Sequence, residues 1–326
     1  MSEGDQRARA STVGAWIRAA RPLAFGNIGL PIAAGAVWAH LGIAGDRPSL
    51  GDDAFSLRGL LLALVWGVLA QLWIVFSNDY ADRDADGLGP GSLVSGGSRV
   101  LVRGEISPTA LRRAAGTMAL LLLASAWPLS FALGGGSTLL RTGPGVTVAG
   151  AGTLALTWAY SYPPIRASYR NGGALLQGVG VGIGLPIVGA LFQGFRIIDD
   201  AARFPWGLVL AGAALATAGN WMTALPDAVA DQAAGKRTRV VRKGGERVRV
   251  EAVALSALAG LALSFQLTTW LSPLQLALAA TIVGVGIAVA SYGAERPTQI
   301  VPVVVALAFN SAIWAMGLAL ALVAPV

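Results

Sequence analysis

Apolar stretches long enough to cross a bilayer recur along almost the whole chain, and they leave few folds open. Nine of them fall near residues 23–41, 59–77, 115–134, 145–161, 173–194, 206–224, 250–269, 274–292 and 300–323. About 17–25 apolar residues are needed for one helical crossing. Only 13% of the 326 residues are charged and 55% are hydrophobic, with a mean hydropathy of +0.63. A water-soluble domain carries roughly 25% charged residues. The pattern predicts an all-α fold, a polytopic membrane helix bundle of nine transmembrane helices around a central cavity with a cytoplasmic cap. Residues 1–22 read as a polar, Arg-rich cytoplasmic tail. Residues 23–323 read as a single transmembrane domain. The first span is not laid out as a cleavable signal and is expected to be retained.

Charge sets the orientation. With nine spans, nineteen of the Lys and Arg residues fall on the side of the N-terminus and five on the other. Cytoplasmic loops carry the excess of such cations. The N-terminus and the loops after spans two, four, six and eight are therefore expected in the cytoplasm. The net charge of +7 is explained by these short loops, so nucleic acid is not expected as a partner. The chain has no cysteine and a single histidine, His40. Thiol chemistry is excluded, and a metal site must use oxygen ligands, which favours magnesium or manganese over zinc.

Against this background two acidic clusters stand out. Span two runs into Asn78-Asp79-Tyr80-Ala81-Asp82-Arg83-Asp84-Ala85-Asp86, and span six into Asp227-Ala228-Val229-Ala230-Asp231. Carboxylates beside membrane segments are expensive and are functional candidates by default. On a helix Asp79, Asp82 and Asp86 share one face, with Asn78 at its edge and Asp84 directed elsewhere. Asp227 and Asp231, four apart, share a face likewise. Stacked like charges repel, and a dication removes that penalty. Magnesium takes one or two carboxylates and fills its shell with phosphate oxygens and water. Five carboxylates suggest two or three ions clamping a diphosphate.

The clusters recur with a four-helix period, giving two four-helix pseudo-repeats plus a ninth helix. Span four ends in Ser161-Tyr162-Pro163-Pro164-Ile165-Arg166 and span eight in the weaker echo Ser291-Tyr292-Gly293-Ala294-Glu295-Arg296. Sites commonly lie at the interface of such repeats. Candidate cations stand close by: Lys236 and Arg237 after the second cluster, Arg99 and Arg103 after the first, and Arg166. They can oppose charge developing on a departing diphosphate. The glycine-rich Gly178–Gly184 stretch has no preceding strand, so it reads as a close helix contact rather than a dinucleotide loop.

These residues resemble the signatures of the UbiA superfamily of intramembrane prenyltransferases. Asn78-Asp79-x-x-Asp82-x-x-x-Asp86 looks like the first signature. Asp227-x-x-x-Asp231 followed by Gly235-Lys236-Arg237-Thr238 looks like the second, and Tyr160-Ser161-Tyr162-Pro163-Pro164-x-Arg166 is similar to the segment between them. The resemblance implies magnesium-dependent transfer of an isoprenoid chain from a polyprenyl diphosphate to an aromatic or other lipid-soluble acceptor. It implies that Asn78, Asp79, Asp82, Asp86, Asp227 and Asp231 hold the metal–diphosphate group, with Lys236 and Arg237 assisting. Asn78, Arg99, Arg103, Tyr160, Tyr162 and Arg166 are the expected substrate contacts. Tyr160, Tyr162 and Trp221 offer π faces to an allylic cation, and Trp158 reads better as an interface anchor. Ser95–Val102 resembles naphthoate-type and generic bacterial members, which suggests a menaquinone-like product. A terpene cyclase would use the same diphosphate site without an acceptor. An ion-coupled transporter is disfavoured, because its acids would lie nearer the bilayer midplane.

Overall fold

The computed structural model describes residues 3–44, 55–88 and 97–267, apart from 205 and 226. Among these residues the fold is all-helical. The N-terminal segment is itself a helix, α1 (Glu3–Ala20), and a short 3-10 turn at Pro22–Phe25 leads into α2 (Gly26–Ala44). The next helix, α3 (Leu57–Asp86), starts at Ser56, whose hydroxyl accepts from Gly59 N–H at 2.9 Å. Such a cap satisfies one of the free N–H groups of the first turn. It runs straight through the expected span end at 77, because nothing between Asn78 and Asp86 is Gly or Pro, and stops at Gly87.

A long helical stretch, α4 (Pro108–Ser161), is capped by Ser107 and broken at Gly134 and Gly135. Gly135 has φ 75°, which glycine alone adopts readily, and the break separates the third and fourth expected spans. The fifth span is α5 (Gly173–Val179) and α6 (Leu185–Leu191), joined by a π turn at Gly180–Gly184. After a short α7 (Ile197–Asp200) comes α8 (Trp206–Thr223), and α9 (Ala228–Ala233) and α10 (Arg239–Lys243) precede α11 (Gly245–Leu267). Four stretches of the described residues are long and apolar enough to cross a membrane: Thr12–His40, Leu57–Asp86, Pro108–Gly136 and Gly173–Leu191. The expected spans 145–161, 206–224 and 250–269 fall on α4, α8 and α11. Those at 274–292 and 300–323, with the Ser291–Arg296 echo, lie outside the described residues.

Helix α3 packs along α4, α2 against α6, and α8 against both α5 and α11. Ile28 and Ile32 of α2, Trp66 of α3, Leu122 of α4 and Val188 of α6 meet in one buried cluster. The glycines of the fifth span make close approach possible, as the small-residue pattern predicts. A Cβ at Gly182 would overlap the Ala213 backbone, and one at Gly178 would overlap Thr217. Large apolar side chains such as Leu61, Leu120, Phe131 and Leu210 point outward instead. On helices of this hydropathy they make a lipid-facing surface.

The helix α1 is no free tail. Ala15 and Ala19 pack with Val75, Phe76, Val100 and Leu111, and Trp16 meets Phe76 edge-on at 5.7 Å. This lays α1 across the end of α3 that carries the first acidic cluster.

Candidate functional site

The two acidic clusters reach the site by different routes. The first rides on the continuous helix α3, so Asp79 and Asp82 share the face that packing buries, 3% and 6% exposed, while Asp84 is 88% exposed. The second does not continue α8. That helix ends at Thr223, and Asp227 is the N-cap of the separate helix α9. Pro226, which lacks an N–H and disfavours helix before it, precedes Asp227 in the sequence. Asp231 is turned inward and buried, whereas Asp227 is half-buried.

Lys236 joins the clusters. Its Nζ lies 3.2 Å from an Asp231 oxygen and 3.6 Å from an Asp82 oxygen. Burial works against the charged ammonium, yet the Asp82 and Asp231 carboxylates prevail and hold it above the ordinary lysine range. The other oxygen of Asp82, Oδ1, is buried and has no hydrogen-bond partner among the described residues. A buried carboxylate oxygen left unpaired is costly and marks a place for a ligand.

Asp79 is held differently. Ser98 donates to it through its backbone N–H, at 3.2 Å to Oδ2, and through its hydroxyl, and Arg21 forms an ion pair with Oδ1. The backbone can reach over these carboxylates because residue 97 is glycine. It has φ 69°, and a Cβ there would overlap Asp86 Oδ2. Asn78 Oδ1 accepts from Ser161 Oγ at 3.1 Å. Tyr162 donates to the Ser77 carbonyl at 3.0 Å, and its ring stacks on Trp158. These contacts fasten the end of α4 to α3. Trp158 is 52% exposed, in keeping with an anchor at the membrane boundary.

Tyr160 lies beside Asn220, which donates to Gln177 at 2.6 Å. Sequence reasoning singled out neither Asn220 nor Gln177, since one amide inside an apolar run carries no periodic signal. The face of Trp221 is covered by the Arg239 guanidinium at 4.2 Å.

The remaining cations diverge. Arg166, in the left-handed region at φ 44°, lays its guanidinium 3.5 Å from the centre of the Tyr169 ring. Lys236 approaches that ring at 5.1 Å. Burial raises the Tyr169 phenol above its usual value, and the Asp82 charge adds to the effect. Arg237 turns away from its neighbour Lys236. With Arg166, Arg170 and Arg242 it lines a cavity of about 670 Å³. Arg103 pairs with Glu105 at 3.5 Å on the surface, and Arg18 holds Glu105 at 2.7 Å and lowers its carboxyl below the usual range. Arg99 takes a left-handed conformation, φ 60°, beside Ser98.

The donor set suits a hard dication. It consists of carboxylates, one of them with an orphaned buried oxygen, and the chain has no cysteine and no second histidine. Among the described residues no three such groups converge on one point. Magnesium does not require that, since phosphate and water normally complete its shell.

An all-helical membrane protein with carboxylates from two separate segments meeting over one lysine is the class that fold and site define. The UbiA prenyltransferase family matches residues 30–311, and the chain belongs to that family. Among solved structures it is similar to a UbiA homolog from Archaeoglobus fulgidus bound to GPP and Mg2+. That likeness has 21% identity and a TM-score of 0.67, and it covers 95% of this chain and 100% of that one. It is also similar to the apo UbiA homolog from Aeropyrum pernix K1, with 19% identity, TM-score 0.63, and 90% and 97% coverage. A structure of digeranylgeranylglyceryl phosphate synthase aligns at 14% identity and TM-score 0.55, over 96% and 98%. No curated protein sequence matches the chain.

Proposed function

We propose that this chain transfers an isoprenoid chain from a polyprenyl diphosphate to a lipophilic aromatic acceptor, in the manner of a quinone-precursor enzyme of the menaquinone type. The observation that carries it is the meeting of Asp82 and Asp231, from segments about 150 residues apart, over the largely enclosed Lys236. Solved relatives bind GPP or DMAPP with Mg2+, which supports the same ligands here. Asp79, Asp82 and Asp231, with Asn78, Asp86 and Asp227 beside them, would hold Mg2+. The metal would neutralise the diphosphate and draw charge from the allylic C–O bond.

The chain's own residues do the rest. Lys236 supplies a fixed positive charge where the leaving diphosphate gains negative charge, with Arg166 and Arg237 on its outer side. The apolar bundle excludes water, which would quench a carbocation. Tyr160, beside Asn220, presents an aromatic face to that cation. The domain spans 23–323 with nine crossings, and the N-terminus and site loops face the cytoplasm.

The test is product analysis by mass spectrometry. Purified protein is given several prenyl diphosphates, with and without aromatic acceptors. A prenylated acceptor is expected. A cyclised hydrocarbon formed without acceptor would identify a terpene cyclase instead.

A further inference from the structure

Arg21 belongs to none of the motifs above, yet it makes a part-buried charge contact with the first acidic cluster. It sits where α1 ends and the 3-10 turn begins, at φ 48° and ψ 62°. A non-glycine residue rarely adopts that conformation without a reason in its surroundings. Its guanidinium pairs with Asp79 Oδ1 across 58 residues of sequence, and Asp79 is 3% exposed. Its Nε is buried without a partner among the described residues. The packing of α1 on α3 and the Arg18–Glu105 pair hold the backbone that delivers it.

Both Asp79 oxygens are already engaged. Oδ1 takes Arg21, with the Ser98 N–H at 3.4 Å, and Oδ2 takes the Ser98 hydroxyl and N–H. A dication using Oδ1 would meet a fixed positive charge beside it, and the two repel. A diphosphate reverses the preference. Its oxygens accept the planar guanidinium fork at least as well as a carboxylate does. Arg21 also keeps an unused donor, Nε, to give.

We infer that Arg21 is an exchange cation for the first cluster: it competes with the metal for Asp79, then moves to the diphosphate when that ligand arrives. The consequence is ordered binding, with metal held weakly by the protein alone and firmly only together with diphosphate. The diphosphate half of this inference rests on the reading in the preceding subsection. The metal half rests on the Asp79 contact alone.

The experiment uses the purified full chain with Arg21→Gln and Arg21→Lys. Free Mn2+ is followed by electron paramagnetic resonance without diphosphate. Binding of geranyl thiolodiphosphate, which resists ionisation, is then measured with saturating Mg2+. In Arg21→Gln, Mn2+ alone should bind more tightly, by about tenfold, and the thiolodiphosphate more weakly, by about ten- to a hundredfold, the range for one charge-assisted contact. Arg21→Lys keeps the charge but not the fork. It should match wild type on Mn2+ and fall between on the thiolodiphosphate, and it serves alone if the Gln variant does not fold. Affinities that weaken together would make Arg21 a scaffold for Asp79 and overturn the inference, as would two unchanged affinities. A wild-type chain that took up Mn2+ but no thiolodiphosphate would instead overturn the prenyl-diphosphate reading.

Discussion

Replacing Lys236 by Met removes the one ammonium that lies between Asp82 and Asp231. The pair distances are 3.2 and 3.6 Å, and the lysine side chain is 12% exposed. With an effective dielectric of about 20, each contact is worth roughly 5 kcal/mol of Coulomb attraction. The desolvation of three charges offsets much of this. Breaking such a buried pair by removing one partner costs about 3–5 kcal/mol, because two carboxylates are left facing each other uncompensated. By the scaling for large domains that is a fall in Tm of roughly 6–20 °C. The assay is thermal unfolding in detergent followed by tryptophan fluorescence, with EDTA present. Lys236→Arg, which keeps the charge, should lose far less. Magnesium should raise the Tm of the Met variant more than that of wild type, since a dication relieves the exposed repulsion.

The pH dependence follows from the same contacts. Asp82 of α3, Asp231 of α9 and the Tyr169 ring face the ammonium, and its folded value is raised above its ordinary 10.5. A raised cation contributes its full stability below the unfolded value and loses it only as pH rises through the folded one. The difference in Tm between wild type and Lys236→Met should therefore shrink as pH rises above about 10.5, and it also falls on the acid side as protonation of the facing carboxylates relieves the repulsion left in the Met variant. A Met variant that unfolds within a degree or two of wild type, or a difference that does not shrink as pH rises above about 10.5, would refute the bridge.

Asp79→Ala or Asp231→Ala should abolish turnover in a correctly assembled protein, and EDTA should inhibit wild type until Mg2+ is restored; near-normal turnover in both variants would remove the site. Cysteine placed at Ser95 or Ala234, in a chain with none of its own, should react with an impermeant reagent only from the cytoplasmic side, so labelling of intact cells at either position would invert the topology. Gly182→Val should destabilise the packing of the Gly180–Gly184 π turn on α8, because a Cβ there already overlaps the Ala213 backbone. Overpacking of this kind costs about 1–3 kcal/mol or more, and unchanged thermal unfolding would count against that contact.

Much of this molecule was legible along the chain. Hydropathy alone sets the helical membrane class, because a backbone in lipid must satisfy its hydrogen bonds within its own segment. The shared face of Asp79 and Asp82 follows from helical spacing, as does the outward Asp84. The separation of the third and fourth spans follows from hydropathy, and the close contact at Gly178–Gly184 from residue type. Other features have no local period to betray them. Lys236 and Arg237 are neighbours with the same charge, yet one turns toward Asp82 and Asp231 and the other toward the outer cavity, because the α9–α10 connection directs them. The second cluster is symmetric with the first in sequence but stands on a separate short helix. Arg103 is drawn to Glu105 at the surface. Arg21, counted in the sequence only as a topological cation, reaches Asp79 because α1 folds back across α3. A residue's type and spacing are properties of the chain, and the direction in which a loop or a packed helix delivers its charge is decided only by the tertiary structure.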